Sequence, residues 1–517
     1  RVGEAEVMIA ANVRYVTGIA YLGEAVRIYE QRSDAFHAGR AHLRLGLAFS
    51  STAGYQDLPL ALRHLRQAWA VAAEYGGALA SACAMSLCSA AAQMWDWPAL
   101  QEAVKWLREE ARRDPAGPAG PVAEAATGYA RLFFEARPDE ALAALTSAAS
   151  ALEGSHDPAS ARWAGLLEYW LFQCHEGLLR DPISVLDRLN GDAARDPGRW
   201  LPGARRSLEI FAFEATVRSG DLAHPVEAAD LRLMVVAEAY AHAWTGEWER
   251  AERFWAWFAD WAGAAGTRPV QFSALYSLCE VHLLRKAFGA AEPVLHSALA
   301  LCEETGALGP EVLTRAELAH CYAATGRVAE ARRELERAAQ LVGEADWRGT
   351  GGRLLLAEAI TTAAAGDIEA AMAAFARAVG AFQQWSLPWD EALALQRWGE
   401  ACRAGGRRYR ARAVEKFDAA IDVLRAHGAG ERVIALVAED RASAIGESGE
   451  LPGPDGLTPR EVEVLQLLAR GRSTRDIADE LVLSVRTVGR HITNIYAKID
   501  AHGRADAAAY ALRHNLL

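Results

Sequence analysis

The sequence predicts an all-α protein: a long array of helical hairpins that ends in a compact, heavily capped helical domain. Leu and Ala dominate a chain that is 51% hydrophobic, and no stretch alternates Val, Ile and Thr as a strand would. An apolar comb returns about every 40 residues along much of the chain. After residue 456 the pattern changes to short helices with strong start and stop signals.

At 517 residues the chain exceeds one ordinary core, and its net charge is −12. Its seven cysteines, at positions 83, 88, 174, 279, 302, 321 and 402, are scattered and form no C-x-x-C pair for zinc or redox chemistry. A reduced cytoplasm is therefore the expected location. The most apolar stretch, "ALASACAMSLCSAAA" at 78–92, is shorter than the roughly 20 residues that cross a bilayer. It is expected as a buried helix, with no membrane partner. No signal peptide opens the chain, and Arg1 stands where an initiator Met would, which leaves a truncated or processed chain open.

The comb fixes the array. "TGEWERAERFW" (245–255), "KAFGAAEPVL" (286–295), "TGRVAEARREL" (325–335) and "AGDIEAAMAAF" (365–375) superimpose, in register at Ala251, Ala291, Ala331 and Ala371, with Ala413 following. Four positions beyond each lies Trp255, Leu295, Leu335, Phe375 or Phe417, and seven beyond lies Phe258, Ala298, Ala338, Ala378 or Ala420. Spacing of i, i+4, i+7 marks one helix face, on which the small residue admits a close neighbour and the large one fills the gap. Gly246, Gly326 and Gly366 precede the combs and suit tight turns between antiparallel helices. Fainter copies, Ala61/Leu65/Ala68 and Ala141/Leu145/Ala148, extend the array upstream, so residues 1–444 are expected as stacked hairpins. The pattern resembles tetratricopeptide repeats, with a longer spacing than their usual 34 or so. "RDPAGPAGP" (113–121) and "RDPGRWLPG" (195–203) interrupt it, either as subdomain joints or as longer loops.

Among the 16 tryptophans, Trp248, Trp255 and Trp257 sit in or beside the comb and are expected to pack in the core rather than line a ligand box. The pair Cys174-His175 lacks a second ligand at helical spacing and a partner base, so it is taken as structural; no metal site and no catalytic residue are expected.

Residues 445–456, "IGESGELPGPDG", are Gly, Pro and acid without periodicity, a flexible linker. In the domain at 457–517, Thr458 is the N-cap of a first helix with Pro459 at its first position, Glu461 completing a capping box and Gly471 ending it. Ser473 caps a short second helix whose Ile477, Ala478 and Leu481 face inward. Ser484 caps a third, in which Val488, Ile492, Ile495 and Ile499 form the buried stripe. Its outer surface carries Arg486, Arg490 and Thr493 on one line and Thr487, His491, Asn494 and Lys498 on the next. A short helix, a tight turn and a second helix with a basic outer face make a helix-turn-helix, whose second helix enters the major groove of DNA. From 457 to 517 there are nine Lys and Arg against seven Asp and Glu, leaving 46 against 60 elsewhere, so the cations are local to this domain.

The runs L-T-P-R-E, L-L-A-R-G-R-S-T-R-D-I-A, L-S-V-R-T-V-G-R-H-I-T-N-I-Y-A-K-I and G-R-A-D-A give this domain a resemblance to the LuxR/GerE helix-turn-helix domain of bacterial transcription regulators, end to end over about 60 residues. The resemblance implies a four-helix domain that binds double-stranded DNA as a homodimer. The dimer contact would come from Ala505, Ala508, Ala509 and Leu512 of the fourth helix. It carries base reading onto Gly489, Arg490 and Thr493, with Asn494 beside them, and phosphate contact onto Thr474, Arg486, Thr487 and Lys498. Three residues depart from the family pattern: Gly489 replaces a frequently basic side chain, Ile499 a Leu, and Asp500 a common Gly. Gly489 serves either close backbone approach or little specificity, which makes Arg490 the expected base reader, its two-pronged guanidinium suited to guanine.

No strand pattern supports a phosphoreceiver domain, and the array resembles instead that of the large LuxR-type regulators, in which an ATP-binding domain precedes a tetratricopeptide-like region. Their P-loop needs Gly-Lys-Ser/Thr, and the four lysines, Lys105, Lys286, Lys416 and Lys498, follow Val, Arg, Glu and Ala. No cofactor is expected; ATP would enter only with an ATPase portion preceding Arg1. The expected function is a transcription regulator, an activator that engages RNA polymerase. Its array receives a peptide, protein or small-molecule effector and controls a terminal domain held monomeric or masked until signalled. The alternative is an interaction scaffold whose terminal domain reads no DNA sequence. An enzyme finds no support in paired carboxylates, metal spacing or a nucleophile with its base.

Overall fold

The computed structural model describes residues 15–51, 56–135, 137–152, 239–342, 348–445, 454–481, 483–514 and 516. They fall in two compact units, one ending at Ala357 and the other beginning at Glu358.

The first unit holds α1 (Tyr15–Gln31), α2 (Ala35–Ser51), α3 (Leu58–Tyr75), α4 (Gly77–Met94), α5 (Trp97–Arg113), α6 (Ala119–Phe133) and α7 (Pro138–Leu152), each packed on the next. After a helical stretch at 239–245 come α8 (Trp248–Ala265), α9 (Arg268–Leu284), α10 (Phe288–Thr305), α11 (Leu308–Ala324) and α12 (Val328–Val342), again each on the next. Alternate helices also meet, α2 with α4, α4 with α6 and α9 with α11, which makes a layer of inner helices flanked by outer ones. This is a tetratricopeptide-like hairpin array. The unit closes on itself: α4 touches α9 and α6 touches α11, with the rings of Trp95 and Phe272 6.1 Å apart. Helix α13 (Arg348–Ala364) spans the boundary, and α14 (Ile368–Gln384), α15 (Pro388–Ala404), α16 (Arg410–Ala426) and α17 (Glu431–Ile445) continue the hairpins in the second unit.

The comb lies where its period places it. Ala251, Ala291, Ala331, Ala371 and Ala413 are fully buried, as are Leu295, Phe375 and Phe417, while Leu335 and Phe258 are half-buried. Large comb residues seat on a glycine of the preceding inner helix. A Cβ on Gly46 would stand 2.5 Å from Cγ of Leu65, and one on Gly399 would stand 2.7 Å from Cε1 of Phe417. The turns repeat too: Gly246, Gly326, Gly366 and Gly406 are left-handed, and Lys286 holds the same place at φ 58°, a conformation that costs a side-chain-bearing residue about 1 kcal/mol. Asp57, Asp96 and Asp367 cap α3, α5 and α14 by accepting the backbone N–H three residues on.

Trp257 corrects one expectation. Trp255 is 1% exposed and Trp248 is buried, but Trp257 is 59% exposed, because a residue two after Trp255 points away from the buried face. The stretch 113–121 holds a short turn, 114–118, across which α5 and α6 pack together. The stretch 195–203 and Cys174-His175 lie outside the described residues. Helix α4 covers the apolar stretch and is buried as expected. The other six cysteines are free thiols in the core, where burial pushes Cys83 up to about 12 and Cys402 up to about 11.

The terminal domain consists of α18 (Pro459–Ala469), α19 (Thr474–Glu480), α20 (Val485–Ile499) and α21 (Arg504–Arg513) around a core that includes Leu457, Val464, Ile477, Val488, Ile495 and Tyr510. The last residues of the expected linker, Pro454–Gly456, form a 3-10 turn. This turn packs on α20 and on a 3-10 turn at Arg407–Tyr409 between α15 and α16.

Candidate nucleic-acid interface

Three caps set the helix starts. Thr458 Oγ1 accepts from Glu461 N at 3.2 Å while Thr458 N donates to Glu461 Oε2 at 2.7 Å. Ser473 and Asp476 make the same reciprocal pair at 3.1 and 3.0 Å. Ser484 Oγ accepts from Thr487 N at 3.0 Å. The exit of α18 differs slightly from expectation: Arg470 is the cap residue, and Gly471, next in line, is left-handed at φ 82°. Four residues, 481–484, separate α19 from α20. Leu483 N donates to Ala478 O at 2.9 Å, the Arg460 guanidinium reaches across to Leu481 O, and the small buried Ala478 lets α20 cross α19 closely. This is helix-turn-helix geometry with α20 as the helix a groove would receive.

The outer face of α20 is open. Arg486, Arg490, Thr493 and Asn494 are exposed, Thr487 and Gly489 half-exposed, and the inward Val488 and Ile495 fully buried. Among the described residues neither Arg486 nor Arg490 meets a carboxylate, so both guanidinium groups are left for an external anion or base edge. Thr487 Oγ1 shares a hydrogen bond with Ser484 Oγ at 2.7 Å, and Thr493 Oγ1 donates to Gly489 O at 3.1 Å. Nothing lies within 4 Å of a Cβ placed on Gly489, so no contact inside the domain requires glycine there. Thr474 is half-exposed at the start of α19 beside exposed Arg475, a cation that the motif did not mark.

Lys498 turns the other way. Its ammonium donates to Glu461 Oε2 at 2.6 Å and to Gly456 O at 2.9 Å, which ties the end of α20 to the start of α18. Burial pushes the Glu461 carboxyl up, but Lys498 and the Thr458 N–H outweigh it and hold the group below its usual range. On α21, Tyr510 donates to Asp455 Oδ2 at 2.6 Å, and Ala507, Tyr510 and Ala511 are buried. Ala505 and Ala509 are exposed, Ala508 is half-exposed, and Leu512 is 66% exposed, an apolar strip that the described residues leave open. Among the described residues no three His, Cys, Asp or Glu are grouped to hold a metal ion, and no helix is long and apolar enough to cross a membrane.

Comparison with known proteins agrees with this geometry. Residues 455–511 match the family model of bacterial regulatory proteins, luxR family. Transcriptional regulatory protein LiaR of Bacillus subtilis (strain 168) is 41% identical over 98 residues, 19% of this chain and 46% of LiaR. Response regulator protein VraR of Staphylococcus aureus (strain NCTC 8325 / PS 47) is 41% identical over 61 residues, 12% of this chain and 29% of VraR. The chain thus spans less than half the length of these curated relatives. The terminal domain is a LuxR/GerE-type DNA-binding helix-turn-helix, of a family of transcription regulators. Two solved structures to which parts of the chain are similar are a Rap protein complexed with Competence and Sporulation Factor (TM-score 0.36, 11% identity, 70% of this chain and 97% of that one) and the APC/C hetero-tetramer Cut9-Hcn1 (TM-score 0.41, 14% identity, 98% and 99%).

Proposed function

We propose that this chain is a cytoplasmic transcription activator that reads a two-fold DNA site as a homodimer and takes its signal through the hairpin array. The observation that carries the reading is the outer face of α20, where Arg486 and Arg490 stand exposed without a carboxylate on a helix fixed by the Ser484 cap. Arg490 reads a base, with guanine matching its two donors, and Thr493 and Asn494 flank it. Arg486, Thr487, Thr474 and Arg475 hold phosphates. Lys498 is left out of the contact set because it is occupied by Glu461. The strip of Ala505, Ala508, Ala509 and Leu512 pairs two copies, which sets half-sites about one helical turn apart. The array binds a peptide, protein or small-molecule effector and frees the terminal domain to dimerise and engage RNA polymerase.

Selection of bound sequences from a random DNA pool by the full chain, beside Arg490→Ala, tests the reading. A two-fold motif that Arg490→Ala blurs at one base position supports it. Absence of any enriched motif with folded protein replaces it with an interaction scaffold.

A further inference from the structure

The acidic array carries one strongly basic segment. Between Arg403 and Lys416 there are six cations, Arg403, Arg407, Arg408, Arg410, Arg412 and Lys416, and a single acid, Glu415. Outside the terminal domain the chain as a whole has 46 cations against 60 acids, so this segment runs against its surroundings. It runs from the end of α15 through the turn at Arg407–Tyr409 into the start of α16.

Two further facts separate it from an ordinary solvated turn. Most of its charge is not neutralised: Arg408 pairs with Glu369 at 3.1 Å and Lys416 with Glu415 at 2.8 Å, while Arg403, Arg407 and Arg412 are exposed and make no ion pair among the described residues. Its place in the fold is also particular, because the Arg407–Tyr409 turn packs directly on the Pro454–Gly456 turn that leads into the terminal domain. A Cβ on Gly456 would stand 3.8 Å from Cα of Arg408 and 3.9 Å from the carbonyl oxygen of Arg407, and Gly456 O is the atom that Lys498 of α20 holds at 2.9 Å. Tyr409 Oη donates to Glu369 Oε1 at 2.8 Å and steadies the turn.

We infer that the Arg403–Lys416 turn is a second DNA contact, which binds the phosphate backbone of duplex flanking the site read by α20. The inference rests on the DNA-binding reading above. A protein of net charge −12 that brings its array up to a polyanion meets repulsion, and the part of the array adjoining the DNA-binding domain is where the charge reverses sign. Contact of this kind carries no sequence information; it adds affinity and salt dependence.

The test measures binding of the full chain against salt on two duplexes, one ending at the selected motif, about 20 base pairs, and one extended by random flanks. Each phosphate contact adds about 0.9 to the slope of log affinity against log salt, so the wild-type slope is expected to be steeper by about 2 to 3 on the long duplex. Arg403→Gln/Arg407→Gln/Arg412→Gln removes that increment and weakens binding to the long duplex at least tenfold, with the motif unchanged. The matching triple Lys variant keeps charge and slope. Equal wild-type slopes on both duplexes overturn the inference whatever the variants do. A Gln variant that binds the long duplex like the wild type also overturns it, with motif selection still intact. If the wild-type chain binds neither duplex, the DNA-binding reading itself fails, and this inference with it.

Discussion

In α11 the guanidinium of Arg315 lies 2.7 to 2.9 Å from carboxylates of Glu303, Glu311 and Glu334 and its side chain is 9% exposed, whereas in α20 those of Arg486 and Arg490 are exposed and meet none among the described residues. Beside Arg315, buried Glu317 accepts from Arg353 at 2.7 Å and from Tyr276 at 3.2 Å. The array thus uses its inner charges to cement neighbouring helices, and α20 leaves Arg486 and Arg490 without a carboxylate among the described residues. Residue type does not separate the two uses. What separates them is whether an opposite charge waits inside the fold.

The comparison breaks if charges in the two places respond alike to substitution. The largest difference is expected at Glu317, where Ala leaves Arg353 with a reduced set of partners in a buried setting and costs the array about 3 kcal/mol, read as a fall in thermal midpoint. Burial pushes the Glu317 carboxyl up, but Arg353 and His320 outweigh it and bring it to about 2, against an ordinary value of 4.5. A depressed folded value contributes stability above 4.5 that fades as pH falls towards 2, so the wild-type midpoint drops across that window and that of Glu317→Gln drops less.

Lys498→Ala comes next. Although Lys498 sits on the recognition helix, it behaves like the array's charges, and its loss leaves buried Glu461 without its cation. The terminal domain is expected to lose about 2 kcal/mol in denaturant unfolding, with the salt slope of DNA binding unchanged. Arg490→Ala has the opposite signature: about 1 to 3 kcal/mol of discrimination lost at one base position, and a thermal midpoint left in place. Smaller still, Gly489→Ala is expected to stabilise the terminal domain by about 1 kcal/mol, since open space surrounds the new Cβ in mid-helix. Asp500→Gly, at a left-handed cap with φ 51°, should add about 0.5 kcal/mol. A fall in stability for either variant, measured by urea unfolding, would mean that the recognition helix is held by contacts other than its caps and its inward stripe.

Features governed by neighbours in sequence were legible. The comb from Ala251 to Ala420 and the caps at Thr458, Ser473 and Ser484 depend on periods and on donors three residues away, and the chain states both outright. Features governed by distant partners were not. Lys498 lies 37 residues from Glu461, and as a cation on an outward line it read as a phosphate ligand until the fold brought the carboxylate to it. Trp257 was grouped with Trp255 by proximity along the chain, although two positions on a helix point nearly opposite ways. Lys286 hid a left-handed turn because only glycine announces one. The arginines of the 403–416 segment were visible as letters, but their meeting with Gly456 was not.

The seating of Leu65 on Gly46 and of Phe417 on Gly399, near opposite ends of the array, is the same joint made twice with different parts. The comb itself returns every 40 residues from Ala251 to Ala371, so a gene can gain or lose one such segment in frame, between equivalent alanines such as Ala291 and Ala331, and still rejoin matching faces. Recombination can therefore lengthen or shorten such an array while the helix-turn-helix domain at its end keeps its own core.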